Sequence, residues 1–591
     1  MAKGIYEGKD GYFKEKIIRG GSDEGQMMEV QLTPFIITPR ELIKCEDSLE
    51  YNSDITYKNR EYKDVGMTAK DFASVKDFEI AISGKISPAV WFDGNKKDLT
   101  DIKKYIAEKE IREIEGVKCS GFHRINDTWH YVTGEGVLQP DNTLCDDIKL
   151  MSAFKEIDNP EVLTKDGLSH EDMQKLSTNL FDFNSIGITS TFMGYLSSLF
   201  LKERLFTDNK IKFPNMAIIG NSGSGKSETM ESIGMPILNM ASNKQSSANQ
   251  LTKFVGMKNA SSTNTVPFVI NEYKSHKLND NIIHTIDNLG NNCYDRYTAQ
   301  RGQASLKTNV YQANSAVILI GESYAADQSA IERMIRLYLS KGESLKKFEG
   351  FKKLKGQHKL LNKLGKDLLL TALNITDAEI LELIETNRTI VNDTEIETTR
   401  SIDNLIVILL GLDLLNMAME NNISDRLTEL KKAVLNRYHD DTLDGNNSSK
   451  SALGEVFELI NQLAIEGKIS RGVHYKELAS NGEVAIDIKT VFNILQETSR
   501  SRGEQLPLTQ KGFMSLVSRE EFYSNYKPVK LKKLDDHTKD ASRKVCVFKL
   551  QELLKLNLDI AMLTDVDAES VFEEKEEPVR SNVVTLKQGC M

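Results

Sequence analysis

Gly220-Asn-Ser-Gly-Ser-Gly-Lys226-Ser227 constrains this chain more than any other segment. It follows the apolar run 215–220 and opens a stretch with helical spacing. Glycines at such spacing let successive backbone N–H groups turn inward, and the start of a helix adds its positive end to that cradle. A lysine then supplies a mobile ammonium and a serine a hydroxyl suited to Mg²⁺. The pattern GxxxxGK[ST], between a strand and a helix, predicts a phosphate-binding loop of the ATP-using kind. Gly220, Asn221, Ser222, Gly223, Ser224, Gly225, Lys226, Ser227 and Glu228 are the candidate ATP-binding residues. Lys226 is expected to bridge the β- and γ-phosphates and Ser227 to ligate Mg²⁺.

Such a loop demands a parallel sheet around it. Between residues 204 and 341, five short apolar runs (216–220, 236–240, 267–271, 316–320 and 335–339) alternate with helical or polar segments. That alternation predicts a parallel sheet covered on both faces. The run 267–271 ends in Asn271-Glu272. Glu272 is the candidate general base for an attacking water. Asn271 occupies the position where an aspartate ordinarily supports the magnesium shell, which leaves that support neutral here.

The remaining chain divides by pattern. Residues 1–150 read as a mixed α/β domain with strand-like runs at 35–38, 78–82 and 129–133 and a helix near 100–115. A helical connector fills 151–203, the core 204–341, and a strand-free helical segment 342–443. A polar linker precedes 451–534, where helix (452–467), short helix (474–479), longer helix (486–501) and strand-like runs suit a winged helix. Residues 535–591 form a basic, then acidic, tail. The six cysteines include no CxxC pair, so they read as reduced thiols and not as disulfides or a zinc site. The polar N-terminus and the lack of any run of about 18 apolar residues point to a cytoplasmic protein without a membrane partner. The longest apolar run, 405–412, suits a buried helix. A net charge of −10 argues against indiscriminate coating of nucleic acid, though not against cations focused in one channel.

From residue 216 to 412 these motifs, in this order, resemble the AAA+ motor of minichromosome-maintenance helicases. The likeness is nearest to the self-loading replicative helicases of bacterial mobile genomic islands, the cassette-chromosome type. Gln245-Ser-Ser-Ala-Asn-Gln-Leu-Thr252 resembles that family's segment after the P-loop, with a shortened following insertion. Residues 294–312 read as a β-hairpin in the place of the hairpin that enters the family's central channel, so Arg296, Arg301 and Lys307 become candidate DNA contacts. Glu322 replaces the usual sensor asparagine. The resemblance implies that Arg333 acts as an arginine finger on the neighbouring subunit, with Arg336 as the competing candidate, and that Arg400 is the sensing arginine of a helical lid.

The fold expected is therefore multidomain α/β: an AAA+ P-loop ATPase core with helical lid, N-terminal mixed α/β domain and C-terminal winged helix. The function expected is an ATP- and Mg²⁺-dependent DNA helicase. It would form a homo-oligomeric ring, by the family's habit a hexamer, translocate on single-stranded DNA and replicate a mobile genetic element. Duplex DNA would lie on the winged helix, contacted by Lys489, Arg500, Arg502 and Lys511. Two alternatives stand: an ATP-switched origin-binding initiator that translocates nowhere, and a superfamily III-type helicase-initiator.

Overall fold

The computed structural model describes residues 4–555 apart from 19–24, 46–47, 153–158, 221–222, 242–244, 275–277, 303–307, 324–329, 331, 340, 393, 395, 397, 444–451, 479–481, 503–505, 507–509, 518–521, 535 and 537. The chain divides into two compact units, Met1–Arg437 and Tyr438–Met591.

The centre of the first unit is a five-stranded, all-parallel sheet. Its strands are β1 (Asn215–Ile219), β2 (Ser246–Ser247), β3 (Phe268–Lys274), β4 (Val317–Ser323) and β5 (Met334–Tyr338), in the order β2-β3-β4-β1-β5. Every residue of β1 is buried, as a central parallel strand requires. Asn215 begins it as a satisfied polar anchor, accepting from the Val317 N–H at 2.9 Å and donating to the Gly290 carbonyl at 2.9 Å. After β1 the chain crosses to the far edge of the sheet, so a crevice opens where β1 ends between β4 and β5.

The expected strand at 236–240 is not one. Met235–Ile237 is helical, and Asn239 turns out of the helix at φ 50°. Ile237, Leu238 and Met240 are buried as a helix end. A short continuous apolar run looks alike in both settings. The edge strand is instead the polar pair Ser246–Ser247, in register with Ile270 and Asn271.

The N-terminal region holds a five-stranded mixed sheet (Ile148–Leu150, Arg112–Val117, Phe35–Cys45, Ser48–Tyr57, Arg60–Thr68) and two smaller antiparallel sheets. Two helices, Val75–Lys85 and Lys96–Ala107, supply Phe78, Ile82, Leu99 and Ile102 to the core that it shares with Phe35, Ile37 and Ile55. Residues 78–82, expected as a strand, belong to the first helix. Phe78 and Ile82 are buried four residues apart, whereas Ile80, which made the run look alternating, is 61% exposed. Ser74 caps that helix by accepting from the Asp77 N–H. The helix expected near 100–115 stops at Ala107, and Arg112–Val117 is a strand.

Beyond β5 the first unit is helical. Thr399–Ala418 is long and apolar enough to cross a membrane, but 78% of its most apolar window is buried within the protein. It packs along Ile186–Ser198.

In the second unit, helix Ala452–Ile465 precedes strands Tyr475–Leu478 and Glu483–Ile486. Helices Ile488–Arg502 and Gln510–Val517 follow, then the long antiparallel hairpin Tyr523–Lys532/Asp540–Lys549. Val456, Phe457, Phe492, Phe513 and Phe548 meet in its core. The short helix expected at 474–479 is a strand: Tyr475–Leu478 pairs antiparallel with Glu483–Ile486, and this hairpin pairing overrides the helical pattern.

Candidate active site

The P-loop leaves the C-terminal end of β1 and leads into helix Lys226–Thr229, as the motif predicts. Asn221 and Ser222 lie outside the described residues. Gly220 admits no side chain: a Cβ there would stand 2.3 Å from the Leu339 carbonyl oxygen of the chain leaving β5. Gly225, at φ 85°, makes the left-handed turn that aims the helix N-terminus into the loop. The Lys226 side chain is 9% exposed, and its Nζ donates to the Gly220 carbonyl at 2.8 Å. Ser344 Oγ donates to the Ser224 carbonyl at 2.9 Å, tying the loop to the helical region. The Glu228 carboxyl is held below its ordinary range by Lys355, with Ser232 also donating to it.

Asn271 and Glu272 sit at a bulge. Ile270 opposes Leu319 while Tyr273 opposes Gly321, so β3 carries an extra residue against β4. Glu272 has φ 61°, a left-handed conformation costly for a glutamate. Bulges of this kind re-aim side chains beside active sites. Ser227 Oγ donates to Asn271 Oδ1 at 3.2 Å, and the Glu272 N–H donates to the same oxygen at 2.8 Å. Ser247 Oγ donates to Glu272 Oε2 at 2.9 Å, and Asn271 Nδ2 donates to Gln245 Oε1 at 3.1 Å. Thus Ser227 and Asn271 meet, with Glu272 next in the chain. Ser247 of the edge strand and Gln245 just before it hold Asn271 and Glu272 in place. No local signal in the sequence marks those two side chains individually; their role comes from the β2–β3 register.

The cationic candidates fare unevenly. Arg333 Nε donates to Asp295 Oδ2 at 3.2 Å and the guanidinium lies 5.7 Å from the Tyr294 ring centre, largely buried within its own chain. Arg336 is half-buried on β5, opposite Ala217. Arg400, near the start of helix Thr399–Ala418, pairs with Glu332 at 2.7 Å, so Arg400 and Arg333 are brought together through adjacent residues.

Arg296 does not belong with the DNA contacts. It caps helix Asp280–Asp295 in a left-handed conformation, is 9% exposed, pairs with Glu203 at 2.8 Å and stacks 4.1 Å from the Phe206 ring centre. Burial alone would raise the Glu203 carboxyl, but the attraction and hydrogen bond of Arg296, together with nearby Lys202 and His123, hold the group below its ordinary range. A cation so engaged is structural. The expected hairpin is present as Thr298–Gly302 paired with Thr308–Gln312, Arg301 opposite Asn309. Lys307 and the side chains of Arg301 and Glu322 lie outside the described residues.

In the second unit, Lys489 and Arg500 are exposed on helix Ile488–Arg502 and Lys511 on the next helix; the Arg502 side chain lies outside the described residues. The outer face of the hairpin adds exposed Lys530, Lys532 and Lys544, none of which stood among the sequence candidates.

No protein-family model matches the chain, and no curated protein matches it significantly. A solved structure of the SCCmec type IV Cch active helicase is similar to it at 12% identity, with a TM-score of 0.50 over 94% of this chain and 99% of that one. The apo C-terminal region of NrS-1 aligns at 10% identity and TM-score 0.25 over 64% of this chain and 87% of its own. A JCV helicase bound to a thiazolopyridine-bearing acetamide aligns at 11% identity and TM-score 0.20 over 41% of this chain and 74% of its own. Similarity at the level of these last two adds nothing to the fold assignment. Over nearly its whole length, this chain has a multidomain α/β fold similar to that of the SCCmec cassette-chromosome helicase.

Proposed function

We propose that the protein is an AAA+ ATPase that drives a DNA helicase. One observation carries the reading: a P-loop at the end of the central strand meets, through the 3.2 Å Ser227–Asn271 contact, a neighbouring strand whose bulge presents Glu272. The strand order β2-β3-β4-β1-β5 supports the AAA+ assignment, with the helical region after β5 as its lid.

The residues fit ATP and Mg²⁺. The buried ammonium suits phosphate oxygens, and the neutral oxygens of Ser227 and Asn271, side by side, suit a hard cation. Ser227 and Asn271 would hold Mg²⁺, which when bound neutralises phosphate charge. Lys226, satisfied by its own loop without nucleotide, exchanges the Gly220 carbonyl for phosphate oxygens. Glu272, steadied by Ser247, orients the attacking water and takes its proton as that water adds to the γ-phosphorus and ADP leaves.

The cassette-helicase fold supports the further reading of a homo-oligomeric ring, a hexamer, that moves single-stranded DNA past the hairpin bearing Arg301 and Lys307. Arg333 would act on a neighbouring subunit's ATP, which requires it to leave Asp295 and Tyr294. Arg400 would report nucleotide state to the lid. The second unit is read as a winged helix for duplex DNA. In a helix-turn-helix the second helix enters the groove, so Gln510–Val517 with Lys511 is the reading element. Lys489, Arg500, Arg502 and the hairpin lysines then contact phosphates. A cytoplasmic replication role on a mobile element completes the proposal.

Glu272→Gln should retain ATP binding and lose about 100- to 10,000-fold in turnover, the range for removing a general base. Equilibrium binding of a fluorescent ATP analogue beside phosphate-release kinetics checks this. Undiminished turnover in that variant would remove Glu272 from the chemistry.

A further inference from the structure

We propose that Gln245 is a positioning residue that requires an amide, not a carboxylate, at position 271. The inference rests on the ATP reading above and explains why the position that flanks the magnesium side of the P-loop is Asn271.

Four side chains form a directed relay. Glu231 lies in the π-helical turn Met230–Gly234, one turn beyond Ser227. Gln245 Nε2 donates to Glu231 Oε1 at 2.9 Å. A carboxylate only accepts, so Glu231 fixes which end of the Gln245 amide faces it. The other end, Oε1, therefore points at position 271, where Asn271 Nδ2 donates to it at 3.1 Å. That in turn fixes Asn271 Oδ1 toward Ser227 Oγ and the Glu272 N–H. Each amide uses its donor end toward Glu231 and its acceptor end toward the P-loop serine.

A carboxylate at 271 cannot enter this relay. It would set an oxygen against Gln245 Oε1. Turning the Gln245 amide over relieves that contact only by placing Oε1 against Glu231. One acceptor faces another in either orientation, and a half-buried site makes that costly. The conflict originates at Glu231, two links away. Glu231→Gln removes it, because an amide there can donate to a reversed Gln245.

The test is a cycle of four proteins: the parent, Glu231→Gln, Asn271→Asp, and both together, all isosteric at the substituted positions. The first readout is Tm of the full-length protein without nucleotide. Asn271→Asp should lower Tm in the parent and leave it nearly unchanged beside Glu231→Gln. The second is the Mg²⁺ concentration for half-maximal binding of a fluorescent ATP analogue. Asn271→Asp should lower that concentration about tenfold more beside Glu231→Gln than in the parent, a coupling ordinary for residues in one hydrogen-bond network. Equal effects of Asn271→Asp in both backgrounds, on both readouts, overturn the relay. Coupling in Tm without coupling in the magnesium titration reduces it to a fold contact and overturns the positioning role. If none of the four binds nucleotide with magnesium, the ATP reading falls, while the Tm cycle still decides whether Glu231 dictates the amide at 271.

Discussion

Lys226→Ala should lower ATP hydrolysis by about 100- to 1,000-fold or more, the loss that follows removal of a single preorganised donor to transition-state charge. The ammonium is buried under the loop and held 2.8 Å from the Gly220 carbonyl, so it is already placed where phosphates would lie. Moving from that carbonyl to a phosphate trades one partner for a stronger one without reordering the side chain. The cost to the fold should be small. The variant loses the bond to the Gly220 carbonyl and the longer 3.5 Å contact to Ser224 Oγ, about 1–2 kcal/mol, so Tm should fall by only a few degrees. Steady-state phosphate release, measured beside thermal unfolding, separates the two effects. Loss of turnover with the fold retained is the expected pattern. Turnover within a few-fold of the parent would mean that the P-loop lysine does not touch the reacting phosphates.

The second large effect falls on stability, far from the loop. Helices Ile186–Ser198 and Thr399–Ala418 approach each other at a glycine pair. A Cβ at Gly411 would stand 1.8 Å from the Gly194 carbonyl oxygen and 2.8 Å from the Ser198 nitrogen. Both are backbone atoms, so no side-chain rotation relieves the clash. Gly411→Ala should therefore force the helices apart and cost about 3 kcal/mol or more, at or beyond the upper end of ordinary overpacking. Propensity alone would predict a gain from glycine to alanine inside a helix. Gly84 is the internal control: it lies near the end of helix Val75–Lys85 with nothing within 4 Å of its would-be Cβ. There the same substitution should be neutral or slightly stabilising, by up to about 1 kcal/mol. Thermal unfolding of both variants checks the contrast, and a Gly411→Ala protein as stable as the parent would show that the two helices do not meet at this spacing.

The placement of the glycine loop between a buried strand and a helix was legible because its signal is local. Three glycines, a lysine and a serine at fixed spacing, between an apolar run and a helix, leave few other folds open. Asn271 and Glu272 were legible for a related reason, since an apolar run that ends in polar residues marks the end of a buried strand. Gln245 and Ser247 were not, because their function depends on a two-residue edge strand docking in one register against β3. Arg296 illustrates the opposite error. Its neighbours in sequence lead into the hairpin, but Arg296 itself closes helix Asp280–Asp295, and this left-handed cap turns the guanidinium inward to Glu203. Residues 78–82 and 474–479 exchanged strand and helix for a similar reason. Ile80 gave a false alternation, and Tyr475–Leu478 became a strand only because Glu483–Ile486 returns beside it.

The central claim, an ATP-driven helicase, is tested most directly by strand displacement on forked duplexes carrying a single 3′ or 5′ tail. ATP should support displacement from one of the two forks. A non-hydrolysable analogue, or Lys226→Ala protein with ATP, should support none. Robust ATP hydrolysis with no displacement from either fork, beside tight duplex binding, would contradict the helicase account and leave an ATP-switched initiator in its place.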